Sequence, residues 1–245
     1  MSDTLYEQII RECAENSCRE VHLHNFGEPL LDKKLEQRIT FAKSNGISRV
    51  KIFSNGSLLT KDRSHSLIEA GLDEIKISFD GATSEEFETI RTPLKFNDVV
   101  ENIRELVKVR NELCSPMKIF VACCSTQDRS ETMNLIASEV DGFAFGKVHN
   151  WGAGLSHDNA GKLGDMRQVR KPCVRVWNTF TILANGDVAL CCLDHDGQMI
   201  LGHLDERTSI RSIFANADYK RIRNLHSAAS QENIQLCANC TKSFL

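Results

Sequence analysis

The chain has 245 residues, of which 41% are hydrophobic and 26% charged, a composition typical of a folded globular protein. Its formal net charge of −3 argues against general nucleic-acid binding, and no apolar run approaches the roughly 20 residues that span a bilayer. The N-terminal residues lack a signal-peptide pattern, so we expect a cytoplasmic protein whose ten cysteines are reduced and available to metals.

The first 150 residues alternate between helical and strand patterns. Strands are predicted over residues 20–24, 49–53, 73–79, 118–123 and 143–149. Helices are predicted over residues 3–13, 35–42, 61–70, 84–113 with a break near Pro93, and 130–138. This alternation implies βαβ units and a mainly parallel sheet, which right-handed crossovers would curve into a barrel or part of one.

The pattern changes in the last third of the chain. Residues 151–171 are polar and glycine-rich, which is typical of a linker or an active-site loop. Asn185-Gly186 between two strand-like segments, 179–184 and 187–192, predicts a hairpin with a two-residue turn. Residues 209–225 predict a helix in two pieces around Asn216. We therefore expect three regions, 1–150, 151–171 and 172–245.

Polar residues follow successive predicted strands, at the edge where parallel α/β folds bind ligands. Glu28 could receive a ligand ammonium group, and Ser78 and Asp80 could hold a carboxylate or ribose hydroxyls. Taken singly, motifs such as Asn55-Gly56 are more often ordinary turns. Their recurrence at one edge favours a ligand-binding rim, with Asn150 and Trp151 after the fifth strand.

Four cysteines near the C-terminus are candidate metal ligands. They are Cys173, Cys191, Cys237 and Cys240. Four thiolates can enclose one tetrahedral metal ion or one cubic iron–sulfur cluster. A zinc ribbon usually has two C-x-x-C pairs, whereas only Cys237 and Cys240 have that spacing here, so the pattern favours a 4Fe–4S cluster over zinc.

Together these motifs resemble a known family. Residues 25–31 (NFGEPLL), Ser54-Asn55-Gly56 and residues 78–81 (SFDG) look like successive strand-end motifs of radical S-adenosylmethionine (SAM) enzymes. The order of Cys173, Gly186, Cys191 and the C-x-x-C pair resembles the SPASM/twitch extension. The resemblance implies an α/β fold: a partial (β/α)6 TIM-like barrel missing its first strand, followed by a small cysteine-rich domain with a β-hairpin.

The resemblance also assigns ligands to residues. It implies SAM contacts at Gly27, Glu28, Pro29, Ser54, Asn55, Ser78 and Asp80. It implies one auxiliary 4Fe–4S cluster on Cys173, Cys191, Cys237 and Cys240. The complete enzyme would be an oxidoreductase that generates a 5′-deoxyadenosyl radical to modify a peptide, sugar or small metabolite, with an electron-donor protein as a partner. No catalytic residue is assigned, and neither nucleic acid nor membrane is expected as a partner.

One departure from the family concerns the catalytic cluster. The family holds it with C-x-x-x-C-x-x-C, a spacing that this sequence does not contain. Cys13 and Cys18 are separated by four residues, on a predicted helix and its exit. We expect either a chain that begins late, without its first strand and cluster loop, or a divergent member. In both cases we predict no SAM cleavage by this polypeptide; the alternative function is a non-catalytic iron–sulfur or zinc protein.

Other candidate ligands have simpler interpretations. Cys123 and Cys124 are expected to pack in the core, and the Cys192 side chain to point away from Cys191. His22 and His24 are expected to be interior histidines with satisfied hydrogen bonds, because no third metal ligand accompanies them.

Overall fold

The computed structural model describes residues 1–124, 134–136, 139–146, 171–238 and 240. The chain divides into two compact units. The first, which we term the sheet unit, covers Cys13–Gly146. The second, the cysteine unit, combines Met1–Glu12 with the chain after residue 146. Within the described ranges, no helix is long and apolar enough to cross a membrane.

The sheet unit is built on five parallel strands in the order β1-β2-β3-β4-β5. The strands are β1 (Glu20–His22), β2 (Arg49–Ser54), β3 (Glu74–Ser78), β4 (Lys118–Cys123) and β5 (Gly142–Phe145). The helices between them include α2 (Leu35–Ser44), α3 (Lys61–Glu69), α4 (Ser84–Ile90) and α5 (Phe96–Glu112), and α1 (Asp3–Glu15) precedes β1. The parallel sheet confirms the predicted α/β class, and the break near Pro93 separates α4 from α5 as predicted.

One face of this sheet forms the core. Six residues that alternate along β2, β3 and β4 have no exposed surface: Val50, Ile52, Ile75, Ile77, Ile119 and Val121. Ile103 and Leu106 of α5 are buried to the same extent. Burial of each such side chain stabilises the fold by about 1.5–3 kcal/mol. It also fixes the register, because a slip of one residue would turn the apolar set to the other face.

Gly81 allows the chain to turn sharply after β3. Its φ is +117°, and a Cβ atom there would lie 2.6 Å from the Phe87 backbone nitrogen. Only glycine fits this close approach, since any side chain would collide with α4. The turn brings Phe87 onto Phe79, with ring centroids 4.8 Å apart. It thereby holds the end of β3 against α4.

The cysteine unit contains an antiparallel sheet in the order β6-β7-β8. The strands are β6 (Thr181–Ile182), β7 (Asp187–Ala189) and β8 (Ile200–His203). The helices are α6 (Arg175–Asn178), α7 (Ile210–Phe214), α8 (Ala217–Ser227) and α9 (Gln235–Ala238). The predicted hairpin pairs β6 with β7, and Asn216 caps α8 by accepting a hydrogen bond from the Tyr219 backbone N–H at 2.9 Å. Strand β8 was not predicted, because its four residues lack a clear alternation.

The hairpin turn differs from the predicted two-residue turn. The Gly186 N–H donates to the Leu183 carbonyl at 3.0 Å, and the Leu183 N–H donates to the Asp187 carbonyl at 2.8 Å. The loop therefore consists of Ala184, Asn185 and Gly186, with Gly186 at φ +97°. This is the three-residue loop in which a type I turn is followed by a left-handed glycine. The dipeptide signal located the turn correctly but gave its length wrongly.

Most of helix α1 belongs to the cysteine unit. The Gln8 side-chain amide donates to the Asp205 carbonyl at 2.9 Å. The Glu12 carboxylate accepts the Ile210 backbone N–H at 2.6 Å, at the start of α7. These two hydrogen bonds join the N-terminal helix to the C-terminal part of the chain, a pairing that no local sequence signal indicates.

The predicted domain limits stay predictions. The limit at residue 150 and nearly all of the 151–171 segment lie outside the described residues, as do Asn150 and Trp151. The predicted helix 130–138 and the last residues of the predicted strand 143–149 also fall largely outside them.

Candidate functional site

Glu28 joins the loop after β1 to the end of β2. Its Oε1 accepts hydrogen bonds from the Leu30 N–H at 3.1 Å and the Ser54 hydroxyl at 2.8 Å. Its Oε2 accepts the Asn55 N–H at 2.7 Å. An ionised carboxylate has about four acceptor positions, so roughly one remains for a ligand ammonium group. Glu28 thus has a structural role that the sequence did not reveal, and its contact with SAM stays a prediction.

The end of β2 is a closely hydrogen-bonded turn. Ser54 is buried, and its hydroxyl oxygen accepts the Gly56 N–H at 3.0 Å. The Asn55 side-chain oxygen accepts the Ser57 N–H at 2.9 Å, and Asn102 of α5 donates to the Gly56 carbonyl at 2.9 Å. The structure therefore brings Glu28, Ser54 and Asn55 together.

Asp80 is the second buried acid at this edge. One of its carboxylate oxygens forms an ion pair with Arg91, and the other accepts the Cys124 backbone N–H. The aspartate is 3% exposed, whereas the Arg91 side chain is partly exposed, so only the acid is removed from water. Asp80 connects the end of β3 to the end of β4, and both of its oxygens already have protein donors.

The remaining predicted SAM contacts surround these acids. Gly27 has φ +90°, and a Cβ atom there would meet nothing within 4 Å, so open space lies beside it. Pro29 begins a 3₁₀ turn, Pro29–Leu31. Ser78 is the last residue of β3 and pairs in register with Ala122. SAM binding by these residues stays a prediction.

The face of the sheet opposite the core is polar. Lys51 forms ion pairs with Glu20 at 3.0 Å and Glu74 at 3.3 Å, and Glu74 also contacts Arg49 at 3.0 Å. Lys76 lies 3.4 Å from Glu74. Three cations and two carboxylates therefore form one network on this face, which we term the open face. A neighbouring row on this face is aromatic. The Lys76 ammonium lies over two of its rings, 5.3 Å from the centroid of Phe53 and 5.8 Å from the centroid of Phe120.

His24 packs beside this row. Its ring lies 4.8 Å from the Phe53 ring and 5.4 Å from the His22 ring. Burial, together with the positive charges of His22 and Lys76, lowers the pKa of His24 to about 4, against a hydrogen bond with the Lys51 backbone that raises it. The His24 Nδ1 is buried and has no hydrogen-bond partner among the described residues, so the expected full satisfaction is wrong at this atom. His22, in contrast, is an exposed residue that contacts Glu20 at 2.7 Å.

The four predicted metal ligands all lie in the cysteine unit. Burial raises the pKa of the Cys173 thiol, the Arg175 backbone and charge lower it, and the nearby Cys240 and Cys192 sulfurs raise it. The Cys240 N–H donates to the Cys237 carbonyl at 3.2 Å, which closes the C-x-x-C turn.

Cys192 is oriented differently from the sequence expectation. A hydrogen bond with the Cys192 side chain is the largest cause that raises the pKa of the Cys191 thiol, followed by burial. The Arg175 guanidinium donates to the Cys192 sulfur. Cys192 therefore lies beside Cys191 instead of facing away, because β7 ends at Ala189 and the strict alternation of a strand ends with it. Of the Cys123 and Cys124 pair, Cys123 is buried as expected, but Cys124 is exposed.

His226 links two of the predicted ligands, a role that sequence analysis missed. The Cys173 backbone N–H donates to its Nδ1 at 3.2 Å, and its Nε2 lies 3.7 Å from the Cys237 sulfur. No sequence signal distinguishes this histidine, which lies near the end of an ordinary helix.

Within the described ranges, no three His, Cys, Asp or Glu side chains are grouped closely enough to hold one metal ion.

Two family models match the chain. One, described as the Radical SAM superfamily, matches residues 1–121, and the other, described as the SPASM iron–sulfur cluster-binding domain, matches residues 173–241.

Curated relatives match parts of the chain. A probable GTP 3′,8-cyclase from Methanopyrus kandleri is 30% identical over 141 residues, 57% of this chain and 43% of that protein. A probable GTP 3′,8-cyclase from Saccharolobus solfataricus is 36% identical over 83 residues, 34% of this chain and 27% of that protein. The matches thus span less than half of the length of these relatives.

Two solved structures share the fold. BtrN in complex with AdoMet and 2-DOIA has a TM-score of 0.64 and 17% identity, covering 100% of this chain and 84% of that chain. BtrN in an open conformation has a TM-score of 0.59 and 16% identity, covering 99% and 80%. At this identity the likeness shows the fold alone.

Proposed function

The chain belongs to the radical SAM superfamily and carries a C-terminal SPASM domain, and from this membership we propose an iron–sulfur protein with two ligand sites. The rim of the parallel sheet binds SAM through Gly27, Glu28 and neighbouring residues. The cysteine unit binds one auxiliary 4Fe–4S cluster through four thiolates, those of Cys173, Cys191, Cys237 and Cys240.

The approach of the Cys173 segment to Cys237 and Cys240 is the observation that carries the cluster proposal. Cys173 lies close enough to Cys240 for its pKa to respond, and His226 joins the Cys173 backbone to the Cys237 sulfur. Arg175 provides positive charge that favours the thiolate form of Cys173. The spacing supports a cluster over zinc, because only one of the two cysteine pairs is a C-x-x-C.

The SAM proposal depends on the remaining acceptor capacity of Glu28 and the open space beside Gly27. A ligand ammonium group at this carboxylate would form a charge-assisted hydrogen bond. Asp80 would support the site by fixing the end of β3, because its own oxygens are engaged by Arg91 and Cys124.

The open face is the proposed place of the substrate. It lies on the side of the sheet not covered by the apolar core, and its network holds three cations against two carboxylates. This excess of positive charge suits a negatively charged small molecule. The curated relatives named GTP cyclases support a small-molecule substrate over a peptide.

SAM cleavage needs a further group. When bound, the family's catalytic cluster supplies the electron that breaks a carbon–sulfur bond of SAM. Because the 245 residues contain no C-x-x-x-C-x-x-C, we propose that they bind SAM without cleaving it. The second candidate, a non-catalytic iron–sulfur or zinc protein, is favoured by the same missing motif.

Anaerobic purification followed by equilibrium dialysis with SAM and product analysis tests these proposals. We expect SAM binding, weakened by Glu28→Gln, without 5′-deoxyadenosine after addition of a strong reductant. Formation of 5′-deoxyadenosine would contradict the proposed inactivity. Absence of SAM binding in folded protein would favour the second candidate, an iron–sulfur or zinc protein that does not bind SAM.

A further inference from the structure

His226 occupies a buried position between two proposed cluster ligands. It lies in the last turn of α8 and is 2% exposed. A polar ring at this depth needs hydrogen-bond partners, since an unsatisfied buried group costs about 1–3 kcal/mol. Both ring nitrogens have neighbours in the ligand segments, one at Cys173 and one at Cys237.

The hydrogen bond at Nδ1 determines where the ring proton lies. A backbone N–H can only donate, so Nδ1 must offer a lone pair to the Cys173 N–H at 3.2 Å. The proton of the neutral ring is therefore on Nε2. Nε2 lies 3.7 Å from the Cys237 sulfur, within the range of N–H···S hydrogen bonds. The ring thus presents an N–H to this sulfur.

We propose that His226 is a positioning residue for the auxiliary cluster, donating its Nε2–H to the Cys237 thiolate and thereby raising the cluster's reduction potential. The inference rests on the proposed function, because it takes Cys237 as a ligand. Hydrogen bonds to cluster sulfurs withdraw electron density and stabilise the reduced state, which carries one more negative charge. The same ring fixes the Cys173 backbone, so one side chain orients two ligand segments.

Two substitutions separate the two hydrogen bonds of His226. In His226→Asn, the short side chain can still accept the Cys173 N–H but no longer reaches the Cys237 sulfur. In His226→Gln, the longer side chain places an amide N–H near the position of Nε2 and so restores the donor. If His226 had a purely structural role, the cluster's reduction potential in His226→Gln would not lie closer to the wild-type value than the potential in His226→Asn.

The test is redox titration of the cluster in the whole chain, followed by electron paramagnetic resonance. We expect His226→Asn to disfavour reduction by about tenfold, a shift of about 59 mV to lower potential for one electron. We expect His226→Gln to lie closer to the wild-type value. Equal potentials in the wild type and His226→Asn, with equal iron and sulfide content, would overturn the inference while leaving the cluster proposal intact.

A second measurement needs no variant and no cluster. Nitrogen-15 NMR of the imidazole in the unmodified protein distinguishes the two tautomers. The inference predicts a protonated Nε2 and an unprotonated Nδ1, and the opposite tautomer would overturn it even if the variants lost the cluster. A wild-type protein that binds only zinc after anaerobic reconstitution would instead overturn the proposed function, and the inference with it.

Discussion

The rim of the sheet unit and the thiol site of the cysteine unit satisfy their polar groups in opposite ways. At the rim, the carboxylates of Glu28 and Asp80 accept hydrogen bonds from the protein's own backbone and side chains. In the cysteine unit, burial raises the pKa of Cys173, and donors from His226 and Leu193 lie near sulfur atoms. The rim is therefore organised by its own hydrogen bonds, whereas the thiol site gains most from a ligand that favours thiolates.

Removal of a proposed ligand thiolate should have the largest effect, because it acts directly on the affinity of the thiol site for the cluster. Cys173→Ser or Cys191→Ser should reduce cluster affinity by more than the roughly 10–100-fold that loss of an outer-shell partner causes. The exposed Cys114 provides the control, since Cys114→Ser should keep the wild-type iron content. Iron and acid-labile sulfide per chain are the measurements. An unchanged iron content in Cys191→Ser would show that Cys191 is not a ligand and would indicate Cys192 in its place.

Gly81→Ala tests the rigidity of the rim. The added Cβ would lie 2.6 Å from the Phe87 nitrogen at φ +117°, so we expect a loss of about 3–5 kcal/mol in the free energy of unfolding. Gly27→Ala is the matched control: its φ is +90° but no atom lies within 4 Å of the added Cβ, so only about 1 kcal/mol should be lost. Urea unfolding measures both. Equal losses would show that steric collision does not shape this turn.

Asp80→Asn tests whether the buried ion pair stabilises the rim. The change leaves Arg91 without its carboxylate partner, and we expect a loss of about 2–3 kcal/mol, less than for a fully buried pair because Arg91 is 29% exposed. Glu112→Gln, at an exposed position of α5, should change stability by less than about 0.5 kcal/mol. Urea unfolding measures both variants, and an equally small loss in Asp80→Asn would show that the ion pair does not stabilise the rim.

The pH dependence of stability should report His24. Its pKa is lowered by burial from 6.5 to about 4, so folding favours the neutral ring. The stability that the neutral His24 ring provides is fully present above pH 6.5 and is lost as the pH falls through about 4. We expect this residue to add about 2–3 kcal/mol to the difference in unfolding free energy between these pH values. His24→Gln should flatten the profile in this window, and an unchanged profile would exclude His24 as the cause.

The thiols of the sheet unit should differ from one another in their reactivity towards an alkylating reagent, which is the smallest of the expected effects. A hydrogen bond from Cys13 lowers the pKa of Cys18 to about 6, against the opposing effect of burial, whereas burial raises the pKa of Cys123 to about 12. Alkylation of Cys18 by iodoacetamide should therefore increase as the pH rises through about 6, while Cys123 stays unreactive. Cys13→Ala should move this midpoint upward. Peptide mass spectrometry gives the extent, and an unmoved midpoint would contradict the assigned cause.

The sequence predicted features that depend on local patterns. The β4 strand appeared with its predicted bounds, because alternate residues such as Ile119 and Val121 face the apolar core. Glu28 and Ser54 approach each other at the rim. The sequence placed both residues there by the rule that parallel strands end at one edge of a sheet. The role of Glu28 as an acceptor for three protein donors was not predictable, because it depends on loop conformation.

The long-range features escaped prediction for a related reason. The hydrogen bond between Glu12 and Ile210 joins opposite ends of the chain, and no local periodicity encodes it. The position of His226 depends on how α8 packs against the segment of Cys173. The orientation of Cys192 followed from where β7 ends, which is two residues before Cys191.

The metal content of the anaerobically purified chain tests the central claim most directly. One auxiliary cluster predicts about four iron and four sulfide per chain, with a Mössbauer spectrum of a 4Fe–4S centre and little zinc. A colourless protein with one zinc per chain and no sulfide would contradict the claim and would make the four cysteines a structural zinc site.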